Sequence, residues 1–441
     1  MPGGEAQRVP FNVVDEVVHN LDTDTEPWSI QLEVRVKGSL DEGCLRTALS
    51  EAFLRHPMAR ARKAPTGRAG ENQYEWEIPP EPEVDPLRVV DCRDDDALGA
   101  TRADLQSRGV PLAESPPLRL RLARNDGGDV VMVNANHAAM DGFGTLRFVQ
   151  SVARAYAGEP DPVPDLDPLE ARNVTMLVGT GDRRVKLRRR ALLAEKARDL
   201  AVPTARLARD GGRDGPGYGL HHVRLSAERT RALVENDLPG TVNDVLLAAL
   251  HLAVEGWNEQ HGSRAGRISV MVPVNMRPKD WHDEVVGNLL LPVRVTTTRA
   301  ERSSPLAALE AVAEQSRRIK EEGGGGALIE VLSRSPSFPL RVKQATSPVL
   351  SLLTRRLADT AMLSNLGSLD EPPAFGAGAG ETAEMWFSGP ARMPLGVSVG
   401  VITTAGRLHA AVRYRHPQFG ADAARRFTER WVGALDTYLA L

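Results

Sequence analysis

Hydrophobic and polar residues alternate along the chain in short segments, and one pair of these segments predicts a β-hairpin. Residues 118–122 alternate leucine with arginine, and residues 130–133 form an uninterrupted apolar run. Between them, residues 125–128 read Asn-Asp-Gly-Gly, a composition typical of a tight turn. The pattern therefore predicts two antiparallel strands, and it places residues 136–142 just beyond the second strand.

Apolar residues at helical spacing predict helices on both sides of this hairpin. Leu45, Leu49 and Phe53 share one helical face, as do Leu146 and Val149. Further strands are predicted at residues 30–36, 221–225, 268–274, 290–295, 397–401 and 408–414, and further helices from residue 241, over 305–320 and from 421. Because strands and helices alternate irregularly in two comparable sets, the pattern favours layered α/β sandwiches over a barrel or a helical bundle.

The length of 441 residues suits two domains, and turn-forming segments mark where they join. Residues 160–168 are rich in Pro and Asp, and residues 210–217 are rich in Gly. We therefore expect an N-terminal lobe over residues 1–175, a linker over 176–217 and a C-terminal lobe over 218–441.

The composition is that of a globular protein, with 41% hydrophobic and 26% charged residues. No apolar run approaches the roughly 20 residues that a membrane-spanning helix needs, and residues 1–8 lack the apolar core of a secretion signal. Two cysteines, Cys44 and Cys92, are too few for a disulfide framework, which favours a cytoplasmic location. The formal net charge of −3 argues against a nucleic-acid binder.

Residues 136–142, which read Asn-His-Ala-Ala-Met-Asp-Gly, carry the strongest candidate chemistry. The neutral imidazole of His137 has a pKa suited to taking a proton from an alcohol or amine that attacks a carbonyl. Asp141 need not touch the substrate, because a buried carboxylate paired with an arginine could fix the loop. The structural alternative is a strand-end histidine that satisfies a backbone group, followed by an ordinary Asp-Gly turn. A metal site is less favoured, because no third ligand has a metal-binding spacing.

This segment resembles the H-H-x-x-x-D-G signature of condensation domains and of the wax ester synthase/diacylglycerol acyltransferase group, both within the chloramphenicol acetyltransferase-like superfamily. The chain departs from the signature at Asn136, where the first histidine is usual. Plant-type acyltransferases of the same superfamily show only H-x-x-x-D. The resemblance therefore implies that His137 is the working histidine, with Asn136 as structural support. It also implies a structural role for Asp141, and it makes Gly142 a turn residue that allows close approach of substrate.

Four further segments extend the resemblance over nearly the whole chain. They are Arg55-His56-Pro57 (R-H-P), residues 241–248 (N-D-V-x-L-A), residues 272–277 with Gly287-Asn288 (V-P-V-x-x-R and G-N) and residues 364–367 (S-N-x-G). Thr241 and Asp244 have an alternative explanation as a T-x-x-D capping box. Arg277 is either a solvated strand-end charge or, as the resemblance implies, the partner of Asp141. The cost of an unpaired buried carboxylate favours the pair.

The resemblance implies two chloramphenicol acetyltransferase-like α/β sandwich lobes in a V-shaped pseudo-dimer with a central channel. Its activity would be acyl transfer from a coenzyme A or carrier-protein thioester, which share a pantetheine arm, to a small-molecule alcohol or amine. The product would be an ester or amide of specialised metabolism, formed without a covalent acyl-enzyme. Asn243, Asn288 and Asn365 are then candidates for lining the channel or binding the donor. No permanently bound cofactor and no metal is implied.

A dense basic stretch falls within the predicted linker. It covers residues 183–190 and ends in Arg188, Arg189 and Arg190. The stretch is either a solvated linker helix or an electrostatic landing site for coenzyme A phosphates, an acidic carrier protein or anionic lipid.

Two other functions are compatible with the resemblance, and one motif competes with it. The acceptor could be a long-chain alcohol or glyceride, as in wax ester and triacylglycerol synthesis, although no strongly hydrophobic surface segment supports this. Asn136 also allows a catalytically silent docking module, against which the other motif residues argue. Residues 396–400 read G-x-S-x-G, the nucleophile elbow of α/β-hydrolases. That elbow needs a following helix, whereas a second alternating run follows here, so Ser398 is predicted to be a strand residue.

Overall fold

The computed structural model describes residues 6–66, 72–162, 165–174, 202–213, 217–278, 281, 285–321, 339–341, 343 and 358–441. Within these ranges the strands are β1 (Gln7–Pro10), β2 (Ser29–Val36), β3 (Arg62–Lys63), β4 (Glu75–Ile78), β5 (Leu87–Asp91), β6 (Leu118–Arg124), β7 (Val130–Asn136), β8 (Tyr218–Arg224), β9 (Ile268–Asn275), β10 (Leu290–Thr297), β11 (Ala361–Ser368), β12 (Thr382–Ser388), β13 (Val397–Thr404) and β14 (Arg407–Arg415). The helices are α1 (Val13–Leu21), α2 (Glu42–Arg55), α3 (Asp95–Ser107), α4 (Gly142–Ala157), α5 (Ala227–Glu235), α6 (Val242–Gln260), α7 (Pro305–Glu321) and α8 (Ala421–Leu439), with a short 3-10 helix at Pro57–Arg60. The predicted α/β class is confirmed.

A five-stranded sheet, in the order β12, β2, β7, β6, β5, contains the predicted hairpin. Strands β6 and β7 pair antiparallel with Leu120 opposite Val133. The leucines of β6 are buried and its arginines are half-buried, as the alternation predicts. At the turn Gly128 has a φ of 104°, and a Cβ there would lie 1.9 Å from the carbonyl oxygen of Val36. This turn therefore requires glycine.

A six-stranded sheet, in the order β10, β9, β11, β13, β14, β8, forms the second layer. Helices α6, α7 and α8 pack on it and on one another. Ser398 lies fully buried within β13, which turns directly into the antiparallel strand β14. The prediction that Ser398 is a strand residue is confirmed, because no helix follows it to form a nucleophile elbow. A smaller three-stranded sheet has the order β1, β4, β3.

Side-chain caps fix where two predicted helices begin. Helix α4 starts after Asp141, whose Oδ1 accepts a hydrogen bond from the Gly144 N–H at 2.8 Å. Helix α6 starts with a reciprocal capping box, in which the Thr241 hydroxyl accepts from the Asp244 N–H and Asp244 Oδ2 accepts from the Thr241 N–H at 2.8 Å. The capping explanation for Thr241 and Asp244 is therefore confirmed.

Strand β12 crosses from the C-terminal half of the chain into the first sheet. It pairs antiparallel with β2, with Phe387 opposite Leu32. Residues 382–388 fall within the expected lobe of residues 218–441, yet they complete the sheet of the N-terminal half. The physical reason is that β2 would otherwise be an edge strand with unpaired backbone groups.

The predicted linker is described only in part. Residues 202–213 and 217 are described, whereas Arg188, Arg189 and Arg190 lie outside the described residues. Among the helices of the described ranges, none is both long and apolar enough to cross a bilayer.

Candidate active site

Asn136, the last residue of β7, holds the loop that follows it. Its buried side chain donates from Nδ2 to Asp22 Oδ2 at 2.8 Å and to the Val110 carbonyl at 2.9 Å. Its Oδ1 accepts from the Ala138 N–H at 2.9 Å. Because both amide hydrogens are used, Asn136 acts on the loop backbone rather than on a substrate, in keeping with the supporting role expected of it.

The backbone of His137 is held from two sides. Its N–H donates to the Trp28 carbonyl at 3.0 Å, just before β2. Its carbonyl accepts from Asn288 Nδ2 at 2.9 Å, just before β10. The His137 ring meets the Trp28 ring edge to face, with 6.4 Å between the ring centroids. The imidazole is therefore fixed where the two large sheets approach each other.

The environment of His137 keeps its imidazole neutral. Burial lowers the pKa of His137, while the Asp141 carboxylate and the residue's own backbone carbonyl oppose that shift. Nδ1 is buried and has no hydrogen-bond partner in another described residue, whereas the residue as a whole is partly exposed. Nε2 is therefore the ring nitrogen available to a substrate, and the lowered pKa leaves it unprotonated near pH 7.

Asp141 and Arg277 form a buried, bidentate ion pair. Arg277 Nη1 lies 2.7 Å from Asp141 Oδ2, Nη2 lies 2.9 Å from Oδ1, and both side chains are 0% exposed. The N–H of Gly144 donates to Oδ1 and the N–H of Leu289 donates to Oδ2, each at 2.8 Å. Each carboxylate oxygen thus accepts two hydrogen bonds. The expected contact is present, and it occupies Asp141 fully.

The segment before β10 closes around this pair. The carbonyl of Gly287 accepts from the Asp141 N–H at 3.0 Å and from Arg277 Nη2 at 3.1 Å. Arg277 also donates to the Val285 carbonyl from Nη2 at 3.1 Å. These bonds join the loop after β7 to the segment between β9 and β10, so the motif sits on elements from both sheets.

Gly142 has a different structural role from the one expected. It is the first residue of α4, and a Cβ there would lie 2.8 Å from Phe387 Cε2 and 3.0 Å from Leu366 Cδ2. Gly142 is therefore a helix residue and not a turn residue, and its missing side chain makes room for Phe387 of β12; close approach of a substrate at Gly142 stays a prediction. The sequence does not reveal this, because Phe387 lies far along the chain.

An apolar cavity of about 420 Å³ lies beside His137. Helix α1 forms one wall with Val14, Val17, Val18 and Leu21. Strands β9 to β11 contribute further lining residues, as do residues 389–395. The volume is within the range of small-molecule sites. Within the described ranges, no cluster of three or more His, Cys, Asp or Glu side chains could hold a metal ion.

The three candidate asparagines have different positions. Asn288 lines the cavity, and its buried Oδ1 has no hydrogen-bond partner among the described residues. Asn365 does not belong to the described lining, because the side chains of a strand alternate and its neighbour Ser364 faces the cavity instead. Asn243 lies in the first turn of α6 and is also outside that lining. The structure therefore brings only Asn288 to His137.

Helix α1 is the part of the site that the sequence interpretation missed. Its residues Val13, Val14, Val17, Val18 and Leu21 repeat at the spacing of one helical face, and Asn12 caps it in a capping box with Asp15. This signal was sufficient to predict the helix. Its contribution to the cavity was not predictable, because that depends on the second sheet.

Comparison with known proteins places this architecture among condensation domains. The chain is 34% identical to an uncharacterized protein of Mycobacterium tuberculosis over 425 residues, covering 96% of this chain and 97% of that protein. It is 24% identical over 384 residues to a linear gramicidin synthase of Brevibacillus parabrevis, covering 81% of this chain and 5% of that protein. No family model matches the chain.

Among solved structures, the chain is similar to the first condensation domain of the calcium-dependent antibiotic synthetase in complex with a substrate analogue. The TM-score is 0.73 at 17% identity, with 99% of this chain and 97% of that chain covered. A likeness at this identity shows the fold alone. The expected fold class of two chloramphenicol acetyltransferase-like lobes is thereby confirmed.

Proposed function

The chain belongs to the family of the Mycobacterium tuberculosis protein that it matches along nearly its whole length. From the condensation-domain fold and the geometry of the site, we propose that this protein is an acyltransferase. The observation that carries the proposal is His137, a neutral imidazole that lines the cavity on a loop held by both sheets. In the proposed reaction an acyl group passes from a thioester to an alcohol or amine.

His137 acts as the general base toward the acceptor. Nε2 takes the proton of the acceptor O–H or N–H as the acceptor oxygen or nitrogen bonds to the thioester carbonyl carbon. The carbonyl electrons move to the oxygen to give a tetrahedral oxyanion. When the oxyanion collapses, the carbon–sulfur bond breaks, and the departing thiolate recovers the proton from the imidazolium. The products are an ester or amide and a free thiol, and no acyl-enzyme forms.

Asp141 and Arg277 serve this reaction as positioning residues. The four hydrogen bonds that the Asp141 carboxylate accepts leave no oxygen for a substrate proton. Their contribution is to keep the loop of His137 and the start of α4 at a fixed distance from the segment before β10. A general base must be held in a fixed position, because proton transfer needs hydrogen-bond contact between the base and the acceptor.

The donor is proposed to be a coenzyme A or carrier-protein thioester, since both carry a pantetheine arm. Support comes from the likeness to a condensation domain of an antibiotic synthetase, which also favours an acceptor and product of specialised metabolism. The pantetheine thioester is a co-substrate, so no resident cofactor is part of the proposal. A donor contact by Arg188, Arg189 and Arg190 stays a prediction, as does donor binding by Asn243 and Asn365.

The deciding experiment offers the purified protein a panel of acyl-coenzyme A and acyl-carrier-protein donors with alcohol and amine acceptors, and detects products by mass spectrometry. His137→Ala is assayed in parallel. We expect a new ester or amide that requires the parent protein and fails to accumulate with the variant.

One result would favour the silent docking module. If neither donor class gives product, while an acyl-carrier protein binds equally to the parent and to His137→Ala, the chain binds its partner without chemistry. If His137→Ala instead transfers the acyl group at the parent's rate, the protein is an acyltransferase but His137 is not its general base.

A further inference from the structure

We propose that the cavity beside His137 is a length-selective pocket for an unbranched apolar chain of about ten carbons attached to the reacting centre. The inference rests on the proposed function, which places the reacting carbonyl and its acceptor at His137, and it adds the class of substrate group. The chain belongs either to the acyl group or to the acceptor, and the experiment below separates these sources.

The length follows from the strands that form one wall. Leu290 and Pro292 of β10 line the cavity, and Arg294, two residues further on the same face, pairs with Asp359, which also lines the cavity. Four residues of extended strand span about 13 Å. Helix α1 agrees, because Val14 to Leu21 covers about 10 Å of helix axis.

This distance converts to a number of carbons. An extended protein backbone spans about 3.6 Å per residue with three bonds, or about 1.2 Å per bond. A zigzag alkyl chain of similar geometry therefore needs about ten or eleven bonds to run along this wall from the level of Leu290 to that of Arg294.

The walls between these ends suit a chain without polar atoms. On β9 and β10, Pro273 lies opposite Pro292, and neither residue has a backbone N–H to offer. Helix α1 adds three valines and a leucine to the lining. The amide groups of a pantetheine arm would lose their hydrogen bonds to water here without replacement, which is costly. The arm therefore reaches His137 by another side, and this cavity receives the apolar part of a substrate.

Two methionines limit the far end. Met271 of β9 lies opposite Arg294 and beside Met362 of β11, and both methionines line the cavity. Their unbranched, flexible side chains are the described residues that meet the end of a ten-carbon chain. A larger side chain at position 271 shortens the pocket, and a smaller one lengthens it.

The test measures binding on the His137→Ala protein, which removes turnover from the readout. Two series are titrated, straight-chain acyl N-acetylcysteamine thioesters and straight-chain alcohols, each from four to sixteen carbons. In the series that enters the pocket, affinity rises about fourfold per methylene, stops rising near ten carbons and falls for sixteen. A rise confined to the thioesters identifies the acyl group as the occupant, and a rise confined to the alcohols identifies the acceptor.

Two variants at one position move the optimum in opposite directions. Met271→Trp lowers the preferred length to about eight carbons or fewer, and Met271→Ala raises it above ten. Val234→Trp also introduces a tryptophan, on helix α5, where the parent residue is 61% exposed, and leaves the optimum unchanged. Because the two Met271 variants shift in opposite senses, partial unfolding cannot produce the pattern.

The outcomes separate this inference from the proposed function. The pocket proposal is wrong if neither series shows an optimal chain length, or if that optimum is the same in both Met271 variants. This holds even where acyl transfer is detected. A clear optimum together with no transfer by the parent protein supports the pocket and contradicts the acyltransferase.

Discussion

The two titratable residues of the motif, His137 and Asp141, have opposite surroundings. His137 has a ring nitrogen toward a cavity and a lowered pKa, whereas both oxygens of Asp141 are occupied by Arg277 and backbone N–H groups. The first residue is therefore arranged for proton transfer and the second for support. Substitutions at the two positions are expected to differ in kind.

For His137, we expect the lowered pKa to set the acid limb of the activity profile. The neutral ring is the active form of His137. We therefore expect kcat/KM to stay constant as the pH falls through 6.5, the ordinary pKa of histidine, and to decline only at lower pH. The measurement is kcat/KM against pH between 4.5 and 8, with the thermal stability of the protein followed over the same range. A half-maximal rate above pH 6.5 would contradict this assignment.

His137→Ala should separate chemistry from stability. Loss of a general base costs about 10²–10⁴-fold in rate. The melting temperature should change little, because His137 is partly exposed and its Nδ1 has no hydrogen-bond partner in another described residue. Single-turnover kinetics and calorimetry of the same preparation test both halves of the expectation.

Asp141→Ala should reduce stability as well as activity. It leaves the Arg277 guanidinium buried without its counter-charge, and breaking such a pair typically costs about 3–5 kcal/mol. Urea unfolding of the parent and the variant gives the difference in the free energy of unfolding. A variant that unfolds at the parent's midpoint would show that the pair contributes little.

At the scale of single residues, the sequence predicts the features that depend on neighbouring residues in the chain or on a recognised motif. The position of His137 after a strand follows from alternation, and the Asp141–Arg277 contact follows from the resemblance together with the cost of a buried charge. The packing of Gly142 could not be predicted, because its neighbours Phe387 and Leu366 come from distant strands.

At the scale of elements, helix α4 is tied to strand β12 through Gly142. We expect Gly142→Ala to destabilise the protein by about 1–3 kcal/mol, since its methyl group would meet Phe387 at 2.8 Å. Gly99→Ala is the matched control, because Gly99 lies within helix α3 with no atom within 4 Å of its added Cβ. The control should stabilise by about 0.5–1 kcal/mol. Equal effects in chemical denaturation would contradict the packing argument.

The elements themselves were predictable wherever one periodicity held over a full segment. Strands β6, β7, β9 and β10 and helices α4, α6 and α7 lie where alternation or helical spacing places them. Strand β12 is not among the predicted strands, and an alternating segment would in any case not show which sheet receives it.

For the whole molecule, buried arginines join the two large sheets. Arg413 of β14 donates to the Ser29 carbonyl at 3.0 Å and to the Gln106 carbonyl at 3.1 Å, and its guanidinium lies 4.1 Å from the Tyr218 ring centroid. Burial lowers the pKa of Arg413 to about 10, so the side chain remains charged at neutral pH. These bonds lead us to expect one cooperative unfolding transition for both halves.

Buried histidines should make that transition sensitive to acid. Burial lowers the pKa of His56 to about 3 and that of His251 to about 3. Below pH 6.5 the unfolded chain binds these protons and the folded chain does not, so stability is complete above 6.5 and falls as the pH drops toward 3. Each residue contributes about 1.4 kcal/mol per pH unit in that window.

The check is urea unfolding at pH 7, 6 and 5 for the parent and for His251→Asn, which cannot take up a proton. We expect the variant to begin less stable and to lose less stability with acid than the parent. Identical losses in the two proteins would remove His251 from the account of acid sensitivity.

The pairing of β12 with β2 limits where this chain can be truncated or divided for recombination. A truncated gene product that stops before Thr382 keeps every other strand of the first sheet but leaves β2 with an open flank of unpaired backbone groups. Such a flank recruits strands from other molecules, so we expect this fragment to collect in inclusion bodies while the full chain stays dispersed. Attempts to shuffle the two halves between relatives should therefore exchange residues 382–388 together with the N-terminal piece.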